Sequence, residues 1–421
     1  MKILHCLHNY YPARGGAEWL MQNVSERLAR RGHSVRVIAT NATSTEDYFL
    51  RGCGKALLPE GAADINGVSV RRVRFSRRGA SFLNLGRAVA NRIPYPFGEH
   101  IRMLSWGPRS RAYERRILQA GDVDLIVACP LPTLNVRYAW RAAKKRNLPL
   151  VIVPCFHTED KMTYHNRLYF EMLREADAVV ALTDLEKNDL HRTAGVKIEN
   201  LHILGAGIDA DGGAAQAAVL PAEAARARFG LATKNLVLFV GQHGLHKGIL
   251  TLIEAMGRVW NVRKDTGLII AGNPTAHTRD IEKKIGALNA ADRAKIRLIK
   301  GFPESEKKAL FEAADVFVSV SPFESFGIVF LESWLQKIPV IGCKRGASAM
   351  IIDELKDGLL VADGKPMELA GALLELIDHP AVRERMGLAG HRKTVDRYAW
   401  DKIVIGWEKL YDDVVRRKRH S

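Results

Sequence analysis

Two carboxylates stand in an apolar stretch. In SPFESFGIVFLESW (321–334), seven residues separate Glu324 from Glu332, and all but Ser325 are apolar or glycine. A buried carboxylate without a partner is costly, so both acids need partners, and these need not be protein. Sugar hydroxyls qualify, because an ionised acid accepts two charge-assisted hydrogen bonds. VFVSVS (316–321) reads as a buried strand, PFESFG as a turn, and IVFLESWLQ as a helix starting near Gly327 with Glu332 about two turns in. Ligands of open parallel sheets sit at the carboxyl ends of strands, and the amides of a helix start are free donors that attract anions. The stretch therefore offers amides to a phosphate and two acceptors to a polyol. Read alone, Glu324 as a loop acid and Glu332 as a helix-surface acid fit equally simply.

Three further loops could bear chemistry. In LFVGQHGLHKGI (238–249) a strand runs into glycines 241, 244 and 248, and Lys247 precedes a helix. Glycines admit a ligand to the backbone, and a lysine is a point charge for phosphate. A plain glycine turn has the same composition. The loop is not a GxxxxGK[ST] phosphate loop, and no GxGxxG follows a strand, which disfavours a nicotinamide enzyme. ARGGAEW (13–19) places a Gly-Gly pair between the first strand and first helix, and PCFHTED (154–160) places His157 just past a strand end. A lone histidine there is also compatible with a structural role. His5 and His8 of HCLH fall on opposite faces of a strand, so no metal site is expected.

The elements that must position these loops alternate. KILHCLH (2–8), a helix over 17–33 and SVRVIAT (34–40) form a βαβ opening, followed by buried strands at 124–130, 150–156 and 178–183. The pattern restarts with strands at 236–241, 267–272, 296–301, 316–321, 339–343 and 358–361. The Ala- and Gly-rich stretch 207–235 reads as a linker. Two successive doubly wound α/β domains are expected, 1–205 and 206–395, with 396–421 a C-terminal helix and a basic, frayed tail packing back towards the first domain. The chain has 421 residues, no apolar run of membrane-span length and no signal-peptide pattern at Met1. Five scattered cysteines without a CxxC pair suit a reduced cytosolic protein.

Together these loops resemble the retaining glycosyltransferases of family 4, enzymes of GT-B fold that use nucleotide sugars. GGAE (15–18) matches that family's N-domain glycine loop, and FH (156–157) its N-domain histidine. ADAVVALTDLEKNDL (176–190) and GID (207–209) resemble the segments flanking its domain seam. VGQHGLHKG resembles VGRxxxxKG, and ESFGIVFLE matches E-x7-E. The resemblance implies two Rossmann-like domains facing across a cleft, with Lys247, Glu324 and His157 as catalytic residues. Lys247 would contact the donor diphosphate, Glu324 the hydroxyls of the transferred hexose, and His157 that sugar near the reacting centre. The amides of Phe326, Gly327 and Ile328 would face sugar and phosphate, Glu332 would hold the ribose hydroxyls, and Gly16 would lie near the diphosphate. Gly301 and Phe302 would border the base. Gln242 stands where the family usually has an arginine, one positive charge fewer at the donor. The resemblance further implies retention, a UDP- or GDP-linked donor, no metal and no resident cofactor. The acceptor would be lipid-linked or a saccharide, in surface polysaccharide or glycolipid assembly. A sugar phosphorylase or sucrose-type synthase, or a non-enzymatic basic membrane-binding protein on this fold, are the alternatives.

The formal charge of +17 is uneven: residues 71–116 hold twelve arginines against Glu99 and Glu114. Phe82, Leu83, Leu85, Val89 and Ile93 interleave with Arg87 and Arg92, downstream of Arg71, Arg72, Arg74, Arg77 and Arg78. This pattern suits docking on an anionic membrane surface, which would make the protein peripheral on the inner face of the plasma membrane. A solvated basic surface is the plainer alternative. No nucleic-acid motif accompanies the charge, so no nucleic-acid partner is expected.

Overall fold

The computed structural model describes residues 1–13, 15–48, 57–78, 80–93, 98–157, 160–210, 222–324 and 326–420. They form two compact units, Met1–Gly205 with Ile403–Ser421, and Ala206–Lys402.

In the first unit the strands are β1 (Lys2–Leu7), β2 (Ser34–Thr40), β3 (Gly61–Ile65), β4 (Val68–Val73), β5 (Leu125–Cys129), β6 (Leu150–Ile152), β7 (Ala178–Ala181) and β8 (Leu201–Ile203). Their order is β3-β4-β2-β1-β5-β6-β7-β8, parallel except for the β3–β4 hairpin. β5, β6 and β7 are buried along their whole length, as strands covered on both faces must be. The hairpin goes beyond the strands expected from pattern. Its signal is Asn66-Gly67, both at positive φ (52° and 81°), the pair that tight hairpin turns favour. It places Arg71 and Arg72 inside a strand, on opposite faces.

In the second unit β9 (Asn235–Val240), β10 (Thr266–Gly272), β11 (Ile296–Lys300), β12 (Val316–Ser319), β13 (Val340–Cys343) and β14 (Gly358–Val361) form an all-parallel sheet ordered β11-β10-β9-β12-β13-β14. The strand sequence reverses direction between β9 and β12. In the first unit it reverses between β1 and β5. Loops leaving the carboxyl ends of strands at such a reversal diverge and leave a crevice, where doubly wound sheets take ligands. The loops bearing Lys247 and Glu324 leave β9 and β12.

Two expectations are corrected. The described part of the supposed linker contains the helix Ala222–Arg228, and Arg226 is buried, pairing with Asp315 at 2.7 Å and donating to the Ala313 carbonyl at 2.8 Å. Residues 211–221 lie outside the described residues. The basic C-terminus is not frayed. The helix Trp400–Arg419 continues through it, and its part from Ile403 belongs to the first unit. Trp407 and Tyr411 are buried there, Glu408 reaches Arg31 and His33 (both 2.6 Å), and Arg419 reaches Asp124 (2.7 Å). Cys6, Cys129, Cys155 and Cys343 are free and buried, and Cys53 lies outside the described residues.

Candidate active site

The reversal in the second sheet brings the two most chemical loops together. After β9, a single 3-10 turn (Leu245–Lys247) ends at Gly248, whose φ of 74° and closeness to Val320 exclude a side chain. After β12 the chain turns through Glu324 to Gly327 (φ 92°), against which the Phe330 ring packs too closely for a Cβ. Lys247 Nζ then lies 2.6 Å from Glu324 Oε1, although the two residues are 77 apart in sequence. Both side chains are largely withdrawn from water, 18% and 16% exposed. The His246 and Phe323 rings meet edge-on at 6.5 Å, a second contact between the same loops. Burial, and then Lys247, lower the His246 pKa, which favours a neutral ring.

The helix Ile328–Leu335 follows, capped by Gly327, which supplies no side-chain oxygen. The amide of Ile328, the first helical residue, has no acceptor within the helix, whereas that of Phe330 donates to the Gly327 carbonyl at 2.9 Å. Phe326 is buried against Tyr398, ring to ring at 5.8 Å. Glu332 is the fifth residue of the helix, so it sits little more than one turn in, not two. Its partner is one the sequence reading missed. Lys307, from the helix Glu304–Glu312, reaches Glu332 Oε1 at 2.5 Å and Glu304 Oε1 at 3.4 Å. The two acids of the opening stretch thus have protein partners, a lysine each. Burial raises the Glu332 pKa, and Lys307 draws it back only in part. Burial acts to lower the Lys307 pKa, but its glutamates prevail and hold it above its ordinary value. Glu332 Oε2 is buried with no hydrogen-bond partner among the described residues. Half-buried Gly301 and Phe302 lead directly into the helix that carries Lys307. Gln242 is exposed at the end of β9, while His243 beside it is buried and structural, bonded to Asn273 and Thr275. The glutamates' lysines leave a trace in the sequence only for Lys307, as the i,i+3 pair with Glu304 in ESEKK.

In the first unit, Gly16 is the first residue of the helix Gly16–Arg30. A Cβ on Gly15 would strike the Glu18 carboxylate, whereas one on Gly16 would meet no atom of the described residues within 4 Å. Packing thus accounts for Gly15 and leaves Gly16 open to an approaching ligand. Glu18 is buried and pairs with His8 at 2.9 Å, while His5 bonds Ser25 at 2.7 Å. The two histidines are thereby committed to different neighbours. Burial pushes the Glu18 carboxyl up, and His8 more than offsets this. His157 follows β6 and packs edge-on against Tyr164 at 5.3 Å. Among the described residues no group of three or more His, Cys, Asp or Glu gathers as a metal cluster would.

A second missed residue, Glu186, holds the loop of His157. It accepts the backbone N–H of Phe156 on Oε1 and that of Leu182 on Oε2, both at 2.7 Å, and so ties the ends of β6 and β7. Burial raises its pKa to about 7, the two amides opposing. A carboxyl raised from 4.5 to about 7 keeps its proton in the fold but loses it in the unfolded chain. Stability therefore falls as pH rises across that interval, by about 3 kcal/mol from this group, and levels off above it. Glu186→Gln is expected to flatten that slope, read by denaturant unfolding at pH 5 and pH 8. An unchanged slope in the variant would place the titration elsewhere.

The arginine block divides. Arg72 donates to the Tyr11 carbonyl, Arg77 donates to the Asp47 carbonyl and lies over Phe75, and Arg87 lies over Trp106 at 5.7 Å. Arg71, Arg74, Arg78 and Arg92 are exposed. The helix Ala80–Ala90 presents Phe82, Leu85 and Val89 to solvent (82, 66 and 51% exposed), with Ile93 just beyond it. These recur at three- and four-residue spacing, so they form one apolar stripe. No described helix is long and apolar enough to cross a membrane.

Known proteins share this sequence in both halves. The profile described as Glycosyltransferase Family 4 matches residues 14–211, and that described as Glycosyl transferases group 1 matches residues 222–393. The alpha-D-kanosaminyltransferase of Streptomyces kanamyceticus is 29% identical over 59% of this chain and 66% of its own length. For a D-inositol 3-phosphate glycosyltransferase of Xylanimonas cellulosilytica the figures are 28, 59 and 60%. The chain thus spans no more than about two thirds of these two relatives. The phosphatidyl-myo-inositol mannosyltransferase of Mycobacterium leprae is 27% identical over 79% of this chain and 83% of its own length. Among solved structures, HepE of Anabaena, crystallised with UDP and glucose, superposes with a TM-score of 0.73 at 17% identity over 98% of this chain and all of that one. Sucrose-phosphate synthase of Thermosynechococcus elongatus gives 0.74 at 16%, over 99% of this chain and all of that one. At such identities the structures speak to the fold alone. With two Rossmann-like sheets and with both halves matched by these profiles, the chain belongs to the family 4 glycosyltransferases and has the GT-B fold.

Proposed function

We propose that the protein is a retaining hexosyltransferase that takes its sugar from a nucleoside diphosphate donor held by the second unit. One observation carries this: the loops after β9 and β12 converge at the sheet's reversal and join Lys247 to Glu324 at 2.6 Å, beside the N-terminus of the helix Ile328–Leu335. A cation and first-turn amides suit a diphosphate, and a carboxylate suits sugar hydroxyls. The leaving diphosphate gains negative charge as the glycosidic bond breaks. Lys247 and the amides of Phe326, Gly327 and Ile328 stabilise that charge, and one such preorganised donor is worth roughly 3 kcal/mol. When the diphosphate draws Lys247 away, Glu324 becomes an acceptor for the hexose. Glu332 holds the ribose, and Phe302 borders the base. In the first unit, Gly16 is assigned to the diphosphate and His157 to the transferred sugar near its reacting centre. UDP and GDP are the leading donor nucleotides, and the chemistry assigned to these residues uses no metal.

Calorimetry and thermal shift with UDP, GDP, ADP and their sugars, on wild type and Lys247→Ala, test this reading. One diphosphate is expected to bind in the micromolar range and to lose about 100-fold in affinity in the variant. Binding by none would overturn the donor site and favour a non-enzymatic role, with Gln242 in the arginine position as its cause.

We further propose a lipid-linked acceptor in polysaccharide or glycolipid assembly, reached at an anionic membrane surface by the stripe Phe82, Leu85, Val89 and Ile93 with Arg71, Arg74, Arg78 and Arg92. Each engaged arginine adds about 1 kcal/mol at best. Vesicles rich in anionic lipid are expected to float wild type at low salt, less at high salt. Phe82→Ser with Leu85→Ser is expected to abolish flotation. Absence of binding at low salt would sink the docking proposal.

A further inference from the structure

Lys307 holds one oxygen of Glu332 and leaves the other without a partner. The ammonium sits at 2.5 Å from Oε1, with Glu304 at 3.4 Å on its other side. Glu332 Oε2 is buried and has no donor among the described residues. A buried carboxylate oxygen without a donor is a cost that folding alone does not explain. The cost disappears if a ligand supplies the hydroxyl. The lysine also arrives in a telling place. Its helix begins two residues after Phe302, so one rigid element ties the segment assigned to the base to the acid assigned to the ribose.

We infer that Lys307 is a positioning residue for ribose recognition, fixing Glu332 so that Oε2 is the acceptor for a ribose hydroxyl. The inference rests on the donor-site reading above. A lysine suits the task better than an arginine. Its compact ammonium engages one oxygen, whereas a guanidinium fork engages both and would occupy Oε2. Lys307 itself touches no substrate. Without it, Glu332 has neither a fixed rotamer nor a countercharge, and its burial favours the protonated form, a poorer acceptor.

The test compares a nucleoside diphosphate with its 2′-deoxy counterpart. From UDP, GDP and ADP the one that binds wild type is chosen, and both forms are titrated by calorimetry. Wild type is expected to prefer the ribonucleotide by about tenfold or more, the scale of one hydrogen bond to a charged group. Lys307→Met is expected to bring the two affinities within about twofold of each other, with the diphosphate contribution, read with inorganic pyrophosphate, unchanged. Should the methionine variant fail to fold, Lys307→Arg keeps the charge, and its fork is expected to lower the ratio as well. A wild-type preference that survives in the folded variant overturns the inference, as does a wild type that binds both forms equally. If wild type binds no diphosphate at all, the donor-site reading is what has failed.

Discussion

Glu324→Gln is expected to separate donor binding from transfer, with transfer falling by roughly 10²–10³-fold while nucleoside diphosphate binding holds or tightens. The reason lies in the pair itself. Without a donor, Lys247 is engaged by Glu324 at 2.6 Å. A diphosphate must displace the carboxylate, whose charge opposes the phosphates a few ångströms away. Glutamine keeps the shape and removes that opposition. Desolvation cancels much of the attraction in this largely buried pair, so the gain in diphosphate affinity is small, up to about fivefold. Transfer fares differently. The hexose loses a charged acceptor where a positive centre develops at its reacting carbon, and a neutral amide does not replace it. Calorimetry with the nucleoside diphosphate and initial rates with the nucleotide sugar read the two effects separately. If affinity and rate fall together, Glu324 acts by holding Lys247 in place, and its contact with the sugar is refuted.

Gly387→Ala is expected to cost about 3 kcal/mol of stability, the upper end for overpacking in a core. Gly387 lies buried in the helix Pro380–Arg397, and a Cβ there would overlap the carbonyl oxygen of Lys337. That oxygen is backbone and cannot rotate away. Lys337 is held at a φ of 58° where the chain leaves the helix of Glu332. One turn on, a Cβ at Gly390 would overlap the Trp334 ring, which is fully buried and donates to the Asp357 carbonyl at 2.9 Å. The two helices touch almost backbone to backbone, so an added methyl must push them apart and shift Glu332. Gly371→Ala is the control. It lies in the helix Pro366–Asp378, exposed, with no atom of the described residues within 4 Å of its Cβ, and is expected to stabilise by up to about 1 kcal/mol. Denaturant unfolding of both variants measures the contrast. Equal effects would mean that the helix contact yields easily.

The sequence by itself determined the framework. Buried parallel strands announce themselves as short apolar runs, and E-x7-E and the glycine-rich loops mark chain reversals whose geometry is local. So the strands of the second sheet, the helix near Gly327 and the loops of Lys247, Glu324 and His157 were all legible. Over Ala222–Arg228 the linker reading failed because an Ala-rich stretch has one composition whether helical or loose, and the pairing of Arg226 with Asp315 is a tertiary contact. The hairpin at Asn66-Gly67 carried a readable signal. What the tertiary structure alone decided is which charges meet. Lys247 meets Glu324 because crossover connections set β9 beside β12. Lys307 meets Glu332 although their helices follow β11 and β12, strands that β10 and β9 separate in the sheet. The arginines that pattern could not tell apart divide into those committed to backbone carbonyls or aromatic rings and those exposed to water. Glu186 is hidden for the same reason: two amides and burial, not its neighbours in sequence, set its task. Periodicity is a property of a segment, whereas a charge pair depends on the path of the whole chain between its members.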